Sequence, residues 1–457
     1  MKFLKPLLIF CFGLSLTVNA QVYKLTDPLP VDQNVRIGKL PNGLTYYIRK
    51  NSLPEKRVEL RLAVNAGSIL EDDDQQGLAH FTEHMSFNGS KHFEKNELIS
   101  YLQSVGVKFG SNLNAYTNFD ETVYKLMIPT ENAEVVDKAF YVLEDWAHNL
   151  TFDPKEIEKE RGVILEEWRI GRGATQRFRD AYYPVLFNNS QYGKRLPIGK
   201  KEVIEHFKPE RLVSFYKEWY RPDLMAVIVV GDINVDQYEQ LIKKHFGAIQ
   251  APKKARPRTY FEVPDHAGTL YSITADKEAM QTQVYVYMNK DHKDETTLGD
   301  YRNFIMEKLY YFMMNQRLGG LARSANPPYM YAKSGFENIA RTKDAFSITM
   351  RVEDNGVEQG LKAALTEVER AKRFGFTQPE LDRAKKSITM MYDRAINEND
   401  KSLSDGYASE LIRHFLVKEP IPGIAVEAAF AKNQLPLITL DEINEFDNTF
   451  LKDSNRA

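Results

Sequence analysis

An α+β fold made of two units of roughly 200 residues each is predicted from three features of the sequence. Segments that alternate apolar and polar residues, as strands do, are interleaved with segments of helical spacing. Both kinds of segment occur before and after residues 251–268. That stretch is rich in Pro, Lys and Arg and has no helical period, so we predict that it links the two units.

Strand signals dominate several segments of the N-terminal unit. Residues 35–51 (VRIGKLPNGLTYYIRKN) contain two strand segments around a Pro-Asn-Gly turn. Residues 57–71 alternate as a half-buried strand does, and TVYKLMIPT (122–130) is typical of another. Residues 224–234 (LMAVIVVGDIN) predict a buried strand that ends at Gly-Asp.

Helical spacing begins in residues 71–87. A further helix is predicted to start after Asp153, which is a good N-cap, with Pro154 at the first helical position and Glu156 completing a capping box. Another capping box, Thr377 with Glu380, marks a helix in the second unit. We therefore expect one domain over residues 21–250, the linker over 251–268, and a second domain over 269–457.

The N-terminus is typical of a secretory signal. Lys2 and Lys5 precede an apolar run, and Val18-Asn19-Ala20 is a small-residue cleavage site. We expect residues 1–20 to be removed from an exported bacterial protein of the periplasm or cell surface. A membrane anchor and a lipoprotein signal are the alternatives, the latter because of Cys11. Since Cys11 is the only cysteine, the mature chain would contain no disulfide.

Composition excludes two classes of function. The formal net charge is −2, so no basic field points to nucleic acid. No internal stretch of the mature chain is apolar for long enough to span a membrane. The sequence is 43% hydrophobic and 27% charged, which is ordinary for a soluble globular protein.

The segment GLAHFTEHMSF (77–87) carries His80, Glu83 and His84 as H-x-x-E-H. On a helix, residues four apart lie on one face, so His80 and His84 can direct ring nitrogens at one point. Two histidines and a carboxylate would leave one zinc position open for water, and Glu83 is placed to take a proton from it. The alternative is an ordinary amphipathic helix on which the two histidines cap or pack.

A third ligand is available in the segment EKERGVILEEW (158–168). Glu160 and Glu167 are seven residues apart, so they share a helix face, and a metal would relieve the cost of burying their carboxylates. A solvated acidic helix is the alternative, and the neighbouring Glu156, Glu158 and Glu166 fit it well. The other histidines are scattered singly, as is typical of surface or packing residues.

Several ordered segments together resemble the pitrilysin-type (M16) zinc metallopeptidases. They are NGLTYYIRKN, GSILEDDDQQGLAHFTEHMSFNGS, LNAYTNFDETVY, EKERGVILEEW and WYRPDLMAVIVVGDIN. H-x-x-E-H is the inverted zincin motif. The resemblance covers most of residues 35–455, and it implies two tandem α/β-sandwich-like domains, each a mainly antiparallel sheet packed with helices. Such a pair forms one half of a clamshell.

The resemblance also implies roles for individual residues. His80, His84 and Glu167 would bind one zinc ion, Glu83 would be the general base, and Glu160 would orient a ligand. Glu166 and Glu160 are alternatives to Glu167, although the spacing of seven favours Glu167. Asn114, Ala115 and Tyr116 would form an edge strand that pairs with the substrate backbone, with a plain loop-to-strand junction as the alternative.

These observations predict an exported zinc endopeptidase that cleaves peptides or small unfolded proteins. The family resemblance implies a second half that closes round the peptide, supplied by a C-terminal continuation, a separate subunit or a second copy of the chain. Two alternatives are a non-catalytic scaffold or partner subunit, and a peptide-binding module with a purely structural zinc ion.

Overall fold

The computed structural model describes residues 23–95 and 97–457. The expected secretory signal (residues 1–20) lies outside these described residues. Two β-sheets organise the chain, one of six strands and one of three, and helices pack against both. The predicted α+β class, with mainly antiparallel sheets, is confirmed.

The six-stranded sheet has the order β1-β2-β6-β3-β5-β4, and its neighbours are antiparallel except for the parallel pair of β2 and β6. The central strands β3 and β6 are almost wholly buried. The apolar run of β6 predicts this burial. The prediction that residues 57–71 form a half-buried strand is wrong, because β3 ends at Val64 and its polar residues Glu59 and Arg61 are buried as an ion pair of 2.6 Å. The strand β4 lies at one edge. The strands are β1 (Val35–Lys39), β2 (Thr45–Lys50), β3 (Arg57–Val64), β4 (Leu113–Thr117), β5 (Thr122–Pro129) and β6 (Met225–Gly231).

Eight helices accompany this sheet in the described part of the N-terminal half. The apolar faces of several of them, together with one face of the sheet, build a single hydrophobic core. The helices are α1 (Leu78–Met85), α2 (Glu97–Ser104), α3 (Ala133–His148), α4 (Pro154–Ile170), α5 (Ala174–Leu186), α6 (Lys201–His206), α7 (Pro209–Trp219) and α8 (Val235–Phe246).

The three-stranded sheet, of order β7-β9-β8, is antiparallel throughout and has its own hydrophobic core. Its strands are β7 (Thr282–Asp291), β8 (Tyr331–Ala340) and β9 (Lys343–Val352), and the helices that follow β7 in the chain are α9 (Leu298–Ala322), α10 (Val357–Phe374), α11 (Gln378–Asn397), α12 (Ser404–Val417), α13 (Ile424–Gln434) and α14 (Leu440–Phe446).

The helix α12, from the C-terminal part of the chain, packs against the six-stranded sheet of the N-terminal part. The predicted division of the chain by a linker did not indicate this contact. The α12 residues Ala408, Leu411 and Ile412 pack on the face of the first sheet opposite the main core, against Ala226 and Ile228 of β6. Residues 251–281 contain neither helix nor strand beyond an isolated bridge at Thr269. A helix from the C-terminal part of the chain therefore covers the face of the six-stranded sheet that is turned away from the main core.

Two further local expectations differ from the structure. The helical spacing of residues 71–87 yields a helix only from Leu78, because Gly77 has a φ of +105°, a left-handed conformation that interrupts any longer helix. At the start of α4 the Asp153 side chain accepts the N–H of Lys155 as expected, but Glu156 forms ion pairs with Lys95 and Lys159 instead of completing a capping box.

The predicted strands and helices otherwise occur close to their expected positions. The capping box of Thr377 and Glu380 is present at the start of α11. Within the described residues, no helix combines the length and apolar character needed to cross a membrane.

Candidate metal centre

A buried glutamate caps the N-terminus of the helix α1. The Glu71 carboxylate accepts the backbone N–H groups of Gly77 at 3.0 Å and Ala79 at 2.8 Å, which have no partner inside the helix. Apolar residues of α1, such as Leu78 and Phe81, are fully buried in the main core. This packing fixes which face of α1 is turned outward, and that face carries the two histidines.

Three side chains converge beside α1. The Nε2 atoms of His80 and His84 lie 3.2 Å apart, and Oε2 of Glu167 on α4 lies 3.8 Å from the first and 3.5 Å from the second. A metal ion needs several donor side chains close together. Among the described residues, these three form the one group of at least three His, Cys, Asp or Glu side chains whose donor atoms all lie within 4.8 Å of one another. The spacing of the histidines on α1 and the packing of α4 against it together create the cluster.

The donor set fits a zinc ion. Zn–N and Zn–O bonds of about 2.0–2.1 Å in a tetrahedron place neighbouring ligand atoms about 3.3 Å apart, close to the separations between these three donors. Two imidazole nitrogens and one carboxylate oxygen are also the ligand types that zinc prefers. Three protein ligands would leave a fourth position for a water molecule or a substrate carbonyl.

Glu160 lies behind the histidines and not among the converging donors. Its Oε1 is 2.7 Å from Nδ1 of His84, and its Oε2 accepts the side-chain amide of Asn88 at 2.8 Å. A hydrogen bond at Nδ1 leaves Nε2 of His84, which is directed towards Glu167, as the nitrogen that would bind a metal. Glu166, the other alternative to Glu167, is an exposed residue that pairs with Arg169 at 2.6 Å.

Glu83 is buried on the same helix, with 8% of its surface exposed. Its Oε2 accepts a hydrogen bond from the Thr117 hydroxyl at 2.6 Å. Burial raises the pKa of Glu83, while the Thr117 hydrogen bond acts in the opposite direction. The carboxyl is thus held in one place and made a better proton acceptor than an exposed glutamate.

The two histidines have opposite electrostatic environments. Burial lowers the pKa of His80 to about 4, with the nearby His84 adding to the effect. Burial also opposes the charge on His84, but its hydrogen bonds to Glu160 and Glu167 outweigh this and raise its pKa to about 9. The metal-free cluster therefore retains a proton on His84 at neutral pH, which a divalent cation would displace.

His80 has one unusual feature. Its Nδ1 atom is buried and has no hydrogen-bond partner within the described residues. Metal-binding histidines usually donate this second N–H to a carboxylate or carbonyl group. The orientation of His80 is therefore set by packing within α1 and by Nε2, whereas His84 is oriented by Glu160.

The expected substrate strand is an edge strand. The segment of Asn114, Ala115 and Tyr116 lies in β4, which pairs with β5 on one side only. Tyr116 packs in the small core on the far face of the sheet, whereas Ala115 packs against the main core on the side of α1. The Tyr116 side chain is thus turned away from the metal cluster, and the backbone of β4 is the part available beside it.

The alternating pattern of an antiparallel pair determines which backbone groups are open. Asn118 donates its N–H to the carbonyl of Glu121 at 2.8 Å, so the N–H and C=O groups of Ala115 and Thr117 point away from β5. The N–H of Ala115 is accepted by the Oδ1 atom of its neighbour Asn114 at 2.8 Å. An incoming peptide carbonyl could replace that side-chain oxygen.

Two known protein-family models match the chain. Residues 46–194 match the family model described as insulinase (peptidase family M16), and residues 206–388 match that of the peptidase M16 inactive domain. Together the matches span more than half of the chain. The chain belongs to peptidase family M16.

Relatives in the M16 family include proteins named as zinc proteases. The chain is 32% identical over 410 residues to the zinc protease PQQL-like of Arabidopsis thaliana, covering 90% of this chain and 40% of that protein. It is 31% identical over 445 residues to the probable zinc protease PqqL of Haemophilus influenzae, covering 97% of this chain and 47% of the relative. The chain thus spans less than half the length of these relatives.

A solved M16 structure matches nearly the whole fold. The first half of the periplasmic protease PqqL from Escherichia coli superposes with a TM-score of 0.88 at 28% identity, covering 94% of this chain and 92% of that chain. In the structure of the complete protease, the match covers 47% of that chain. This chain is therefore similar to the first of two halves.

Two residues near the cluster of this M16 chain were not predicted from the sequence. Glu71, which holds the start of α1, lies in the acidic run EDDD, where nothing distinguishes it from its exposed neighbours. Thr117 directly follows the predicted substrate segment, but its contact with Glu83 depends on how β4 passes α1. The LNAYT segment was the available signal for Thr117.

Proposed function

We propose that this chain is the metal-bearing half of an exported zinc endopeptidase that cleaves peptides or small unfolded proteins. The observation that carries the proposal is the convergence of His80, His84 and Glu167, with Glu83 buried on the same helix. The names of two relatives support it, since one is named a zinc protease and the other a probable zinc protease.

The proposed ligands are the Nε2 atoms of His80 and His84 and a carboxylate oxygen of Glu167, binding one zinc ion. When bound, zinc would supply Lewis-acid chemistry, which makes water more acidic and polarises a carbonyl group. Glu160 would keep His84 in the tautomer that leaves Nε2 free.

Glu83 is proposed as the general base. Its carboxylate would accept the proton of the attacking water and then donate it to the leaving amine of the cleaved peptide bond. Its raised pKa suits both steps, because a group that must accept and later release a proton works best when its pKa lies near the operating pH.

The edge of β4 is proposed to bind the substrate. A peptide that pairs with Ala115 and Thr117 would add a strand to the sheet and lie next to α1. Such pairing reads the peptide backbone more than its side chains, so we expect broad sequence preference and a requirement for an extended substrate.

The division of the chain and its setting are also proposals. We assign residues 21–250 to the metal-bearing domain, 251–268 to the linker and 269–457 to the second domain, with residues 1–20 as an export signal. A second M16-type half would close over the cluster, as the match to the first half of a longer periplasmic protease suggests.

The non-catalytic alternatives fit this site less well. A purely structural zinc site needs four closed protein ligands, whereas the group found among the described residues has three. A scaffold would need neither a buried Glu83 nor its hydrogen bond to Thr117.

The test is peptide cleavage by the purified, zinc-loaded protein, with fragments identified by mass spectrometry. Glu83→Gln should bind zinc like the wild type but lose cleavage, because the amide cannot accept a proton. His84→Asn should lose both. Equal cleavage by the wild type and Glu83→Gln would rule out the proposed mechanism.

A further inference from the structure

Thr117 connects two parts of the proposed active site, the general base on α1 and the peptide-binding edge of β4. Its hydroxyl is 2.6 Å from Oε2 of Glu83 on α1, while its backbone N–H and C=O groups lie on the open edge of β4. The same residue therefore contacts the proposed base and borders the proposed peptide site.

The Thr117 hydroxyl has two possible acceptors. Besides Glu83, the Oγ1 atom of Thr122 lies 3.5 Å away, and Thr122 is fully buried and donates its own proton to the carbonyl of Ala66 at 3.0 Å. Thr122 thus presents lone pairs towards Thr117. The hydroxyl can donate to Glu83 as a carboxylate, or accept from Glu83 as an acid while it turns towards Thr122.

We infer that Thr117 is a positioning residue that holds the Glu83 carboxylate in its reactive rotamer and ties it to the peptide-binding strand. This inference rests on the proposed role of Glu83 as general base. A short hydrogen bond to a charged carboxylate is strong and directional, and proton transfer requires such alignment of the base. Peptide pairing at Thr117 would then reinforce the alignment from the backbone side.

The first experiment compares Thr117→Val and Thr117→Ser with the wild type, measuring kcat, KM and zinc affinity. Valine keeps the branched shape and removes the hydroxyl, so kcat should fall about 10- to 100-fold. KM should change by no more than about threefold, because the strand backbone is unaltered. Serine restores the hydroxyl and should return kcat to nearly the wild-type value. All three proteins should bind zinc with equal affinity.

Thr349→Val on β9 of the other sheet is the matched control for replacing a strand threonine, and its kcat should equal that of the wild type. A wild-type kcat in Thr117→Val, with Glu83→Gln inactive, would overturn the inference while leaving the proposed function intact. Loss of activity in Thr117→Ser equal to that in Thr117→Val would also overturn it, as would loss of zinc from Thr117→Val.

The second experiment is independent of activity. The unfolding free energy of the metal-free protein is measured for Thr117→Val, Glu83→Ala and the double variant. A direct contact makes the two effects non-additive, and additive effects would overturn the inference. If the wild type and Glu83→Gln cleave equally, the proposed function fails, and this cycle still decides whether Thr117 holds Glu83.

Discussion

Glu71 holds the backbone of Ala79, the residue directly before His80, through a hydrogen bond of 2.8 Å. The same carboxylate oxygen accepts the N–H of Gly77, so one side chain fixes the first turn of α1. Glu71 has 3% of its surface exposed and also lines a cavity of about 260 Å³ together with Arg195 and Trp219. The position of both histidines therefore depends on a residue outside the cluster.

Replacing Glu71 with Ala should loosen this turn. Two buried N–H groups would lose their acceptor, so we expect the free energy of unfolding to fall by about 1–3 kcal/mol. Zinc affinity should fall with it, because His80 follows the loosened segment. Chemical unfolding and zinc titration measure the two effects. Asp74→Ala removes an exposed carboxylate of the same acidic run that pairs with Arg211 at 2.7 Å, so it should cost at most about 1 kcal/mol and leave zinc affinity unchanged.

Replacing Glu71 with Gln should instead change the pH dependence of stability. Burial raises the pKa of Glu71 to about 8 from an ordinary value of 4.5, against the two backbone hydrogen bonds. The folded protein thus keeps a proton that the unfolded chain releases, so wild-type stability falls as pH rises between these values and then levels off. Glutamine does not titrate and should not show this loss.

The measurement is urea unfolding of both proteins, in the presence of a chelator, at about pH 5 and about pH 8. Because the other titrating groups are shared, the stability of Glu71→Gln relative to the wild type should increase with pH. Parallel pH profiles would mean that Glu71 is already ionised in the folded protein.

Gly199 packs closely against the backbone of Gln76 and Gly77, just before α1. A Cβ atom at this position would lie 2.3 Å from Cα of Gly77 and 2.5 Å from the carbonyl oxygen of Gln76, and the φ of Gly199 is +75°. Gly199→Ala should cost about 3 kcal/mol or more of stability, since backbone must move, and it should weaken zinc binding.

The matched control for that substitution is Gly106→Ala. Gly106 has a similar φ of +84°, but nothing among the described residues lies within 4 Å of the point that a Cβ atom would occupy there. Gly106→Ala should lower the free energy of unfolding by only about 1 kcal/mol, the cost of placing alanine in a left-handed conformation, and should leave zinc affinity unchanged. Equal losses from the two variants would show that the contact with Gly77 is unimportant.

The spacing of residues was sufficient to predict which side chains could share a helix face. His80 and His84 lie together on α1, and Glu160 and Glu167 both approach them from α4. Helical spacing alone could not separate the roles of the two glutamates, which only the family resemblance distinguished. That difference follows from how α4 packs on α1, which leaves 14% of the Glu160 side chain exposed but 51% of that of Glu167.

Contacts between distant segments were beyond sequence reasoning. The hydrogen bond from Thr117 to Glu83 joins a strand to a helix, and the cap that Glu71 provides depends on the short helical turn Asp73–Gln75 between it and α1. The apolar face of α12 was visible in principle as a helical pattern. Nothing in that pattern indicates that its partner is β6 in the other half of the chain.

Glu160 provides the sharpest test of how the cluster is organised. Its carboxylate is 2.7 Å from Nδ1 of His84, and a neutral amide in its place would make the imidazole a weaker ligand. We expect Glu160→Gln to weaken zinc binding by about 10- to 100-fold, measured by competition with a chelator. Glu166→Gln on the same helix removes only an exposed pair with Arg169 and should bind zinc like the wild type. If the two variants bound zinc equally well, the negative charge of Glu160 would be unimportant for zinc binding, because the glutamine amide oxygen can still accept the Nδ1–H of His84.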